Sequence, residues 1–214
     1  MLHIITPFSR FENANFYIDN LQNKNVIWHP IVYTPIDIFS QKWIEPYIFF
    51  DEAAFPPNIC KINSFMKNYP IIDNDRYCFM NDDDWLEDNV FRVFKTENDP
   101  DDDVVFISMK RGYGKQPGFP WGHPTFTLEV DMNRIIIGNI GFEQYFIKGR
   151  VLKTLEFDNY GCFDGLMAME LNYNYKVKPM PYVYAMFNYL EPGRWDISKK
   201  GEVVQWRLPV PGVD

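Results

Sequence analysis

Three aspartates stand side by side in "YCFMNDDDWLEDNVF" (77–91), directly after an apolar run. Like charges at that spacing repel, and a carboxylate withdrawn from water without a partner is costly. Either water solvates Asp82, Asp83 and Asp84, or something positively charged belongs among them. In an extended chain Asp82 and Asp84 point to one side and Asp83 to the other. Two carboxylates on one side suit a hard cation such as Mg2+ or Mn2+, which completes its shell with water and the phosphates of a substrate. The competing reading is structural: the aspartates cap the following helix and favour its positive end.

A control lies in the same chain. "NDPDDDVVF" (98–106) also carries three aspartates, but they precede a strand and follow Asn, Asp and Pro, which reads as a solvated turn. The first run instead ends an apolar strand, the place where ligands gather in open α/β sheets.

The elements that would position these residues alternate. Strands are expected at 2–8, 26–34, 45–52, 76–80, 103–110 and 125–130, and helices at 10–23, 59–69, 85–96 and 163–174. In the helix at 85–96, Leu86, Val90 and Val93 fall at helical spacing. Interleaved strands and helices predict an α/β fold with a mainly parallel central sheet flanked by helices. The segment 134–155 and the tail after 182 give no clear period. A Gly- and Pro-rich loop, "RGYGKQPGFPWGHP" (111–124), offers Tyr113, Phe119 and Trp121 as flat faces of the kind that pack on sugar rings.

Composition bounds the setting. With 214 residues, 46% hydrophobic, the chain has enough apolar material for one substantial core. A formal charge of −8 argues against a nucleic-acid backbone as partner, because such binding needs clustered Lys and Arg. Three scattered cysteines, Cys60, Cys78 and Cys162, read as free thiols of a reducing compartment, so a cytoplasmic location is expected. No basic leader opens the sequence and no apolar run approaches membrane-spanning length.

The order "IITPFSRFENANFYIDNLQ", "VIWHPIVYT", the strand ending in "NDDDW", and "GFEQYFIKGRVLKTLEFDNYGCFDGLMAMELNYNYKVKPMP" resembles nucleotide-sugar glycosyltransferases of the GT-A fold over roughly residues 1 to 185. Within that group the short, aromatic-rich chain is similar to the N-terminal glycosyltransferase domains of chlorella-virus proteins that decorate a capsid glycan, which would place it in the host cytoplasm. The resemblance implies a single Rossmann-like GT-A domain over 1–205, with 206–214 ("WRLPVPGVD") as a linker to a further domain. It implies a metal-dependent hexosyltransferase that moves a sugar from a nucleotide sugar, a UDP-sugar being favoured, to a glycan acceptor. Asp82, Asp83 and Asp84 would supply the metal site for Mn2+ or Mg2+, in a register that could also start at Asn81. Thr6, Pro7, Phe8 and Arg10 would meet the base, ribose and phosphate. Lys61 and Asn63 would contact the nucleotide or its diphosphate. Asp164 would be the acidic base of an inverting enzyme, with Glu143 its competitor; in a retaining enzyme one of these, or Gln144, would face the cationic sugar. Trp121 and His123 would form the acceptor or sugar platform, His123 also being readable as a late metal ligand or as structural. Simpler roles stand beside these: Phe8 in the core, Arg10 on the surface, Lys61 and Asn63 on a solvated helix face, Asp164 as a helix cap, His3 and His29 as structural histidines. Two other classes remain open, a nucleotidyltransferase and a non-catalytic carbohydrate-binding or capsid-associated module.

Overall fold

The first strand is buried along its whole length, and that sets the architecture. In the computed structural model, which describes residues 1–34, 39–50, 57–96, 99, 101–111, 127–135, 140–156 and 163–187, β1 (Leu2–Pro7) is covered on both faces. Its neighbours are β2 (Val26–Val32) on one side and β4 (Arg76–Phe79) on the other, both parallel to it. A short β3 (Tyr47–Ile48) extends the sheet beyond β2. Buried on two faces, such strands must read as continuous apolar runs, which is why 2–7 and 76–79 lack alternation.

The far half of the sheet is mixed. β8 (Tyr145–Lys148) is inserted between β4 and β6 (Val104–Arg111), antiparallel to both. β9 (Val177–Phe187) runs parallel to β6, with a register shift after Ile107. Two short strands, β5 (Trp85–Leu86) and β7 (Thr127–Leu128), pair antiparallel with β9 and β6. The order is β3-β2-β1-β4-β8-β6-β9-β5. The protein is thus a mixed α/β domain whose longer registers are parallel.

Side-chain alternation splits the core into two layers. Ile4, Phe8, Trp28, Cys78, Val105 and Phe146 face one way, with α1 (Ala14–Leu21) and α3 (Asp88–Thr96) packed over them. Ile5, Tyr77, Phe79, Phe106 and Ile147 face the other, under α2 (Pro57–Asn68), α4 (Gly149–Leu152) and α5 (Phe163–Asn174). Every step of one residue changes the face, so a one-residue slip of β1 would exchange the two cores.

Two local expectations are corrected. Residues 85–86 are a strand rather than the first turn of a helix: they pair with Ala185 and Met186 across the sheet, and that ladder overrides the helical spacing of Leu86, Val90 and Val93. The expected helix at 10–23 begins with a 3-10 turn at Phe11–Asn13, so only Ala14–Leu21 is α-helical. Among the described residues no helix is long and apolar enough to cross a membrane. The expected linker and most of the loop 111–124 lie outside the described residues.

Candidate active site at the ends of β1 and β4

The chain leaves β1 toward β2 on one side and returns to β4 on the other, so the sheet order reverses between β1 and β4. A crevice at the carboxyl ends of such strands is the standard ligand position of open α/β sheets. Four further pieces are brought to that edge. The N-terminal half of α2 lies there because the helix leads back to the start of β4. The 3-10 turn Phe142–Gln144 lies there because β8 runs antiparallel, with Phe146 opposite Cys78. The first turn of α5 arrives because the helix precedes β9, parallel to β6. Tyr33 follows β2.

The aspartate run is neither solvated nor extended. Asp82 and Asp83 are 4% exposed and Asp84 is fully buried. Asp82 Oδ2 accepts hydrogen bonds from Ser9 N (2.7 Å), Ser9 Oγ (2.8 Å) and Arg10 N (2.8 Å). Its Oδ1 accepts from Arg10 Nη1 at 2.5 Å, and the same nitrogen lies 3.1 Å from Asp83 Oδ2. Asp84 Oδ2 accepts from the backbone and side-chain nitrogens of Asn81, both at 3.1 Å. Asn13 Nδ2 donates to the Asp82 carbonyl at 2.7 Å, and the Tyr17 hydroxyl donates to the Asn81 carbonyl. The positive charge that this run requires is therefore supplied by Arg10, and the loops after β1 and β4 are stitched together through it.

That network decides how the aspartates fit a metal. Asp82 accepts from four donors, three on Oδ2 and one, the Arg10 guanidinium, on Oδ1, so a divalent ion there would share Oδ1 with Arg10. Among the described residues no group of three or more His, Cys, Asp or Glu side chains is placed to hold a metal.

The donor-binding candidates separate. Thr6 is buried, its Oγ1 accepting from Trp28 Nε1 at 3.1 Å. Pro7 ends β1. Phe8 is fully buried in an aromatic cluster with Tyr17, Trp28 and Phe39, ring centroids 5.5–5.7 Å away. Arg10 reaches the rim, its side chain 35% exposed. Lys61 is 2% exposed, with its ammonium 4.4 Å from the centre of the Tyr33 ring. Burial lowers its pKa, and the nearby charge of Asp82 works against that shift. Asn63, two residues on, points elsewhere, because positions i and i+2 lie on different helix faces. Trp121 and His123, with Tyr113 and Phe119, lie outside the described residues.

The two late carboxylates come within electrostatic reach of each other. Asp164, half-buried in the first turn of α5, accepts from Gly165 N at 2.8 Å, and burial raises its pKa. Glu143 is fully buried, and among the described residues no other residue donates to either carboxylate oxygen. Burial first, and then the charges of Asp164 and Asp83, push its pKa up to about 7, although its own amide offsets part of the rise. Gly141 makes room for it: a Cβ there would fall 2.5 Å from Glu143 Oε1. Gln144 locks the turn, accepting from Gly141 N at 2.9 Å and donating to the Ile107 carbonyl at 3.1 Å. Beside them the Tyr145 hydroxyl is buried without a partner, its pKa raised by burial and by both acids.

Ser9, Asn13, Tyr17 and Tyr145 are site residues that sequence reasoning did not single out. Asn13 and Tyr17 stand four residues apart on one side of the first helical stretch, which is the only trace they leave in sequence. In comparisons with known proteins, no family model matches this chain and no curated protein matches it, which leaves the geometry of the site to carry its function.

Proposed function

We propose that this crevice binds a nucleotide sugar, a UDP-sugar being favoured, and transfers the sugar to a hydroxyl of a glycan acceptor. The observation that carries the proposal is Glu143: a fully buried carboxylate to which no other described residue donates, near pKa 7 and within electrostatic reach of Asp164 at the strand ends. A buried acid in that state costs stability, and such groups concentrate where proton transfer is needed near neutral pH.

In the reaction the acceptor oxygen attacks the anomeric carbon and its proton passes to the acid pair. Asp164, half-buried, is the member that an acceptor can reach; the fully buried Glu143 is poised to hold a proton at neutral pH. The bond from the anomeric carbon to the diphosphate breaks, and the nucleoside diphosphate leaves with the electron pair. Negative charge then builds on the departing phosphate and calls for fixed positive groups. Arg10 at the rim and the buried Lys61 are cations that the described residues bring to that edge. The attack by an external hydroxyl with a carboxylate base inverts the anomeric centre.

The test is a donor screen on the purified protein, measuring nucleoside diphosphate release with an oligosaccharide acceptor mixture, with and without manganese, for wild type and Glu143→Gln. Release that depends on acceptor and falls in the variant is expected. Saturable nucleotide-sugar binding with no turnover under any condition would assign a binding module instead, and pyrophosphate release from a nucleoside triphosphate would assign a nucleotidyltransferase.

A further inference from the structure

The opposite end of the sheet carries a second pocket, of about 220 Å³, between the starts of β1 and β4, the turn before β2 and α3. It is lined by Leu2, Lys24, Asn25, Arg76, Phe91, Phe94 and Lys95, together with Met1. Arg76 begins β4 and Asp82 lies in the turn after its carboxyl end, so this pocket and the crevice described above lie at opposite ends of that strand.

Its chemistry is unlike the rest of the molecule. The formal charge of the chain is −8, yet the described lining holds three cationic side chains and no acidic one. Two of those cations sit near phenyl faces: Lys24 Nζ is 5.7 Å from the Phe91 centroid and Arg76 Cζ is 5.9 Å from that of Phe94. Arg76 is 2% exposed and donates to the carbonyls of Phe146, Asp99 and Asp102, so it is held rigidly in place. Lys24 pairs with Asp88, whose side chain is 81% exposed. An ion pair that open to water is weak, and a ligand anion can compete with it. Lys95 in the last turn of α3 lies at the mouth.

We infer that this pocket is a binding site for a small organic anion, a flat apolar body carrying one carboxylate or phosphate. The side chains of Phe91 and Phe94 line the space for the body, and Lys24, Lys95 and Arg76 receive the charged group. The size agrees: roughly 150 Å³ of apolar cavity accommodates a benzene ring, which leaves room here for one anionic substituent. A polyanion or a whole nucleotide is too large for it.

The experiment titrates the full chain with phenyl phosphate, benzoate, inorganic phosphate and benzyl alcohol, following amide NMR shifts of Lys24, Asn25 and the residues of α3. Saturable shifts are expected with phenyl phosphate or benzoate, the stronger of the two identifying the charged group. Lys24→Ala combined with Lys95→Ala, both at solvent-accessible positions, should weaken that binding about tenfold or more while leaving nucleotide-sugar binding unchanged. Phe94→Leu should weaken the aromatic anions and not inorganic phosphate. Absence of saturable shifts with either aromatic anion, equal binding by benzyl alcohol, or full binding in the double variant would overturn the site. Inorganic phosphate binding as tightly as phenyl phosphate would overturn the role given to Phe91 and Phe94.

Discussion

Arg10 holds Asp82 twice, through its backbone N–H at 2.8 Å and its guanidinium at 2.5 Å, across 72 residues of chain. Together with Ser9, which donates twice, Arg10 satisfies a buried carboxylate and joins the loops that follow β1 and β4. Arg10 supplies one positive charge to Asp82 and Asp83, and Asn81 donates twice to Asp84.

Breaking this clasp from the two sides should have unequal effects. Asp82→Ala leaves Ser9 and Arg10 donors without an acceptor in a buried setting, and is expected to cost about 3 kcal/mol. Arg10→Ala removes a side chain that is one-third exposed, and should cost only about 1 kcal/mol. Urea denaturation of the two variants measures the difference; equal losses would mean that Asp82 is not the hub.

Nucleotide binding distinguishes a built-in cation from a metal. If Arg10 and Lys61 carry the charge of the diphosphate, UDP should raise the melting temperature equally in EDTA and in manganese, and Arg10→Ala should reduce that rise. A shift seen only with manganese would place a metal at the site.

Glu143 should reveal itself in the pH dependence of stability. Its native pKa, about 7, lies above the ordinary 4.5, so folding takes up a proton. That contribution is complete below the unfolded value and is lost as pH rises through about 7, with a slope of up to about 1.4 kcal/mol per pH unit. Glu143→Gln should remove this decline and be the more stable protein above neutrality. Its glycosyl transfer should fall by roughly 10²–10⁴-fold with UDP binding retained. Asp164→Asn should also lower transfer without loss of fold, because the Asn side chain has nearly the same shape and its amide oxygen can still accept from Gly165 N.

Gly141→Ala tests the same carboxylate without touching it. A methyl group 2.5 Å from Glu143 Oε1 forces the acid out of its place. Transfer should drop while nucleotide binding persists, and the stability loss should be about 1–3 kcal/mol, as for other overpacked sites. Unchanged transfer would show that the position of Glu143 is immaterial.

The histidines at the other end of the sheet predict acid sensitivity. His3 Nε2 contacts Asp75 Oδ2 at 3.0 Å, His3 Nδ1 contacts His29 Nε2 at 2.8 Å, and His29 Nδ1 faces the Glu45 carbonyl at 3.3 Å. Three contacts each need one proton, and two neutral imidazoles supply two, so the longest contact is the one left short. Burial and the neighbouring His3 nevertheless hold His29 at about 3, far below 6.5. The unfolded chain therefore binds more protons between those values, and stability should fall as pH drops from 6.5. Asp75, whose pKa is lowered by the groups it pairs with, acts in the same direction at lower pH. His29→Gln should flatten the acid limb of the profile measured by thermal unfolding.

The α/β class and the strand-end position of the aspartates follow from the sequence, because period, apolar runs and turn residues are local and every neighbour is a few residues away. The same local pattern put Phe8 in the core as one of two readings, and packing among Tyr17, Trp28 and Phe39 selected it. Which charge answers Asp82 was not legible, since Arg10 reaches it only after β1 and β4 pair in parallel. Nor was the approach of Glu143 to within electrostatic reach of Asp164, which depends on β8 entering the sheet antiparallel between β4 and β6 and so delivering the turn before it to the crevice. Trp85 and Leu86 show the limit most directly: their spacing is helical, but a ladder to residues 185–186 makes them a strand. Long-range pairing leaves no mark in a local window, and the charges that it brings together acquire their roles only when water is removed around them.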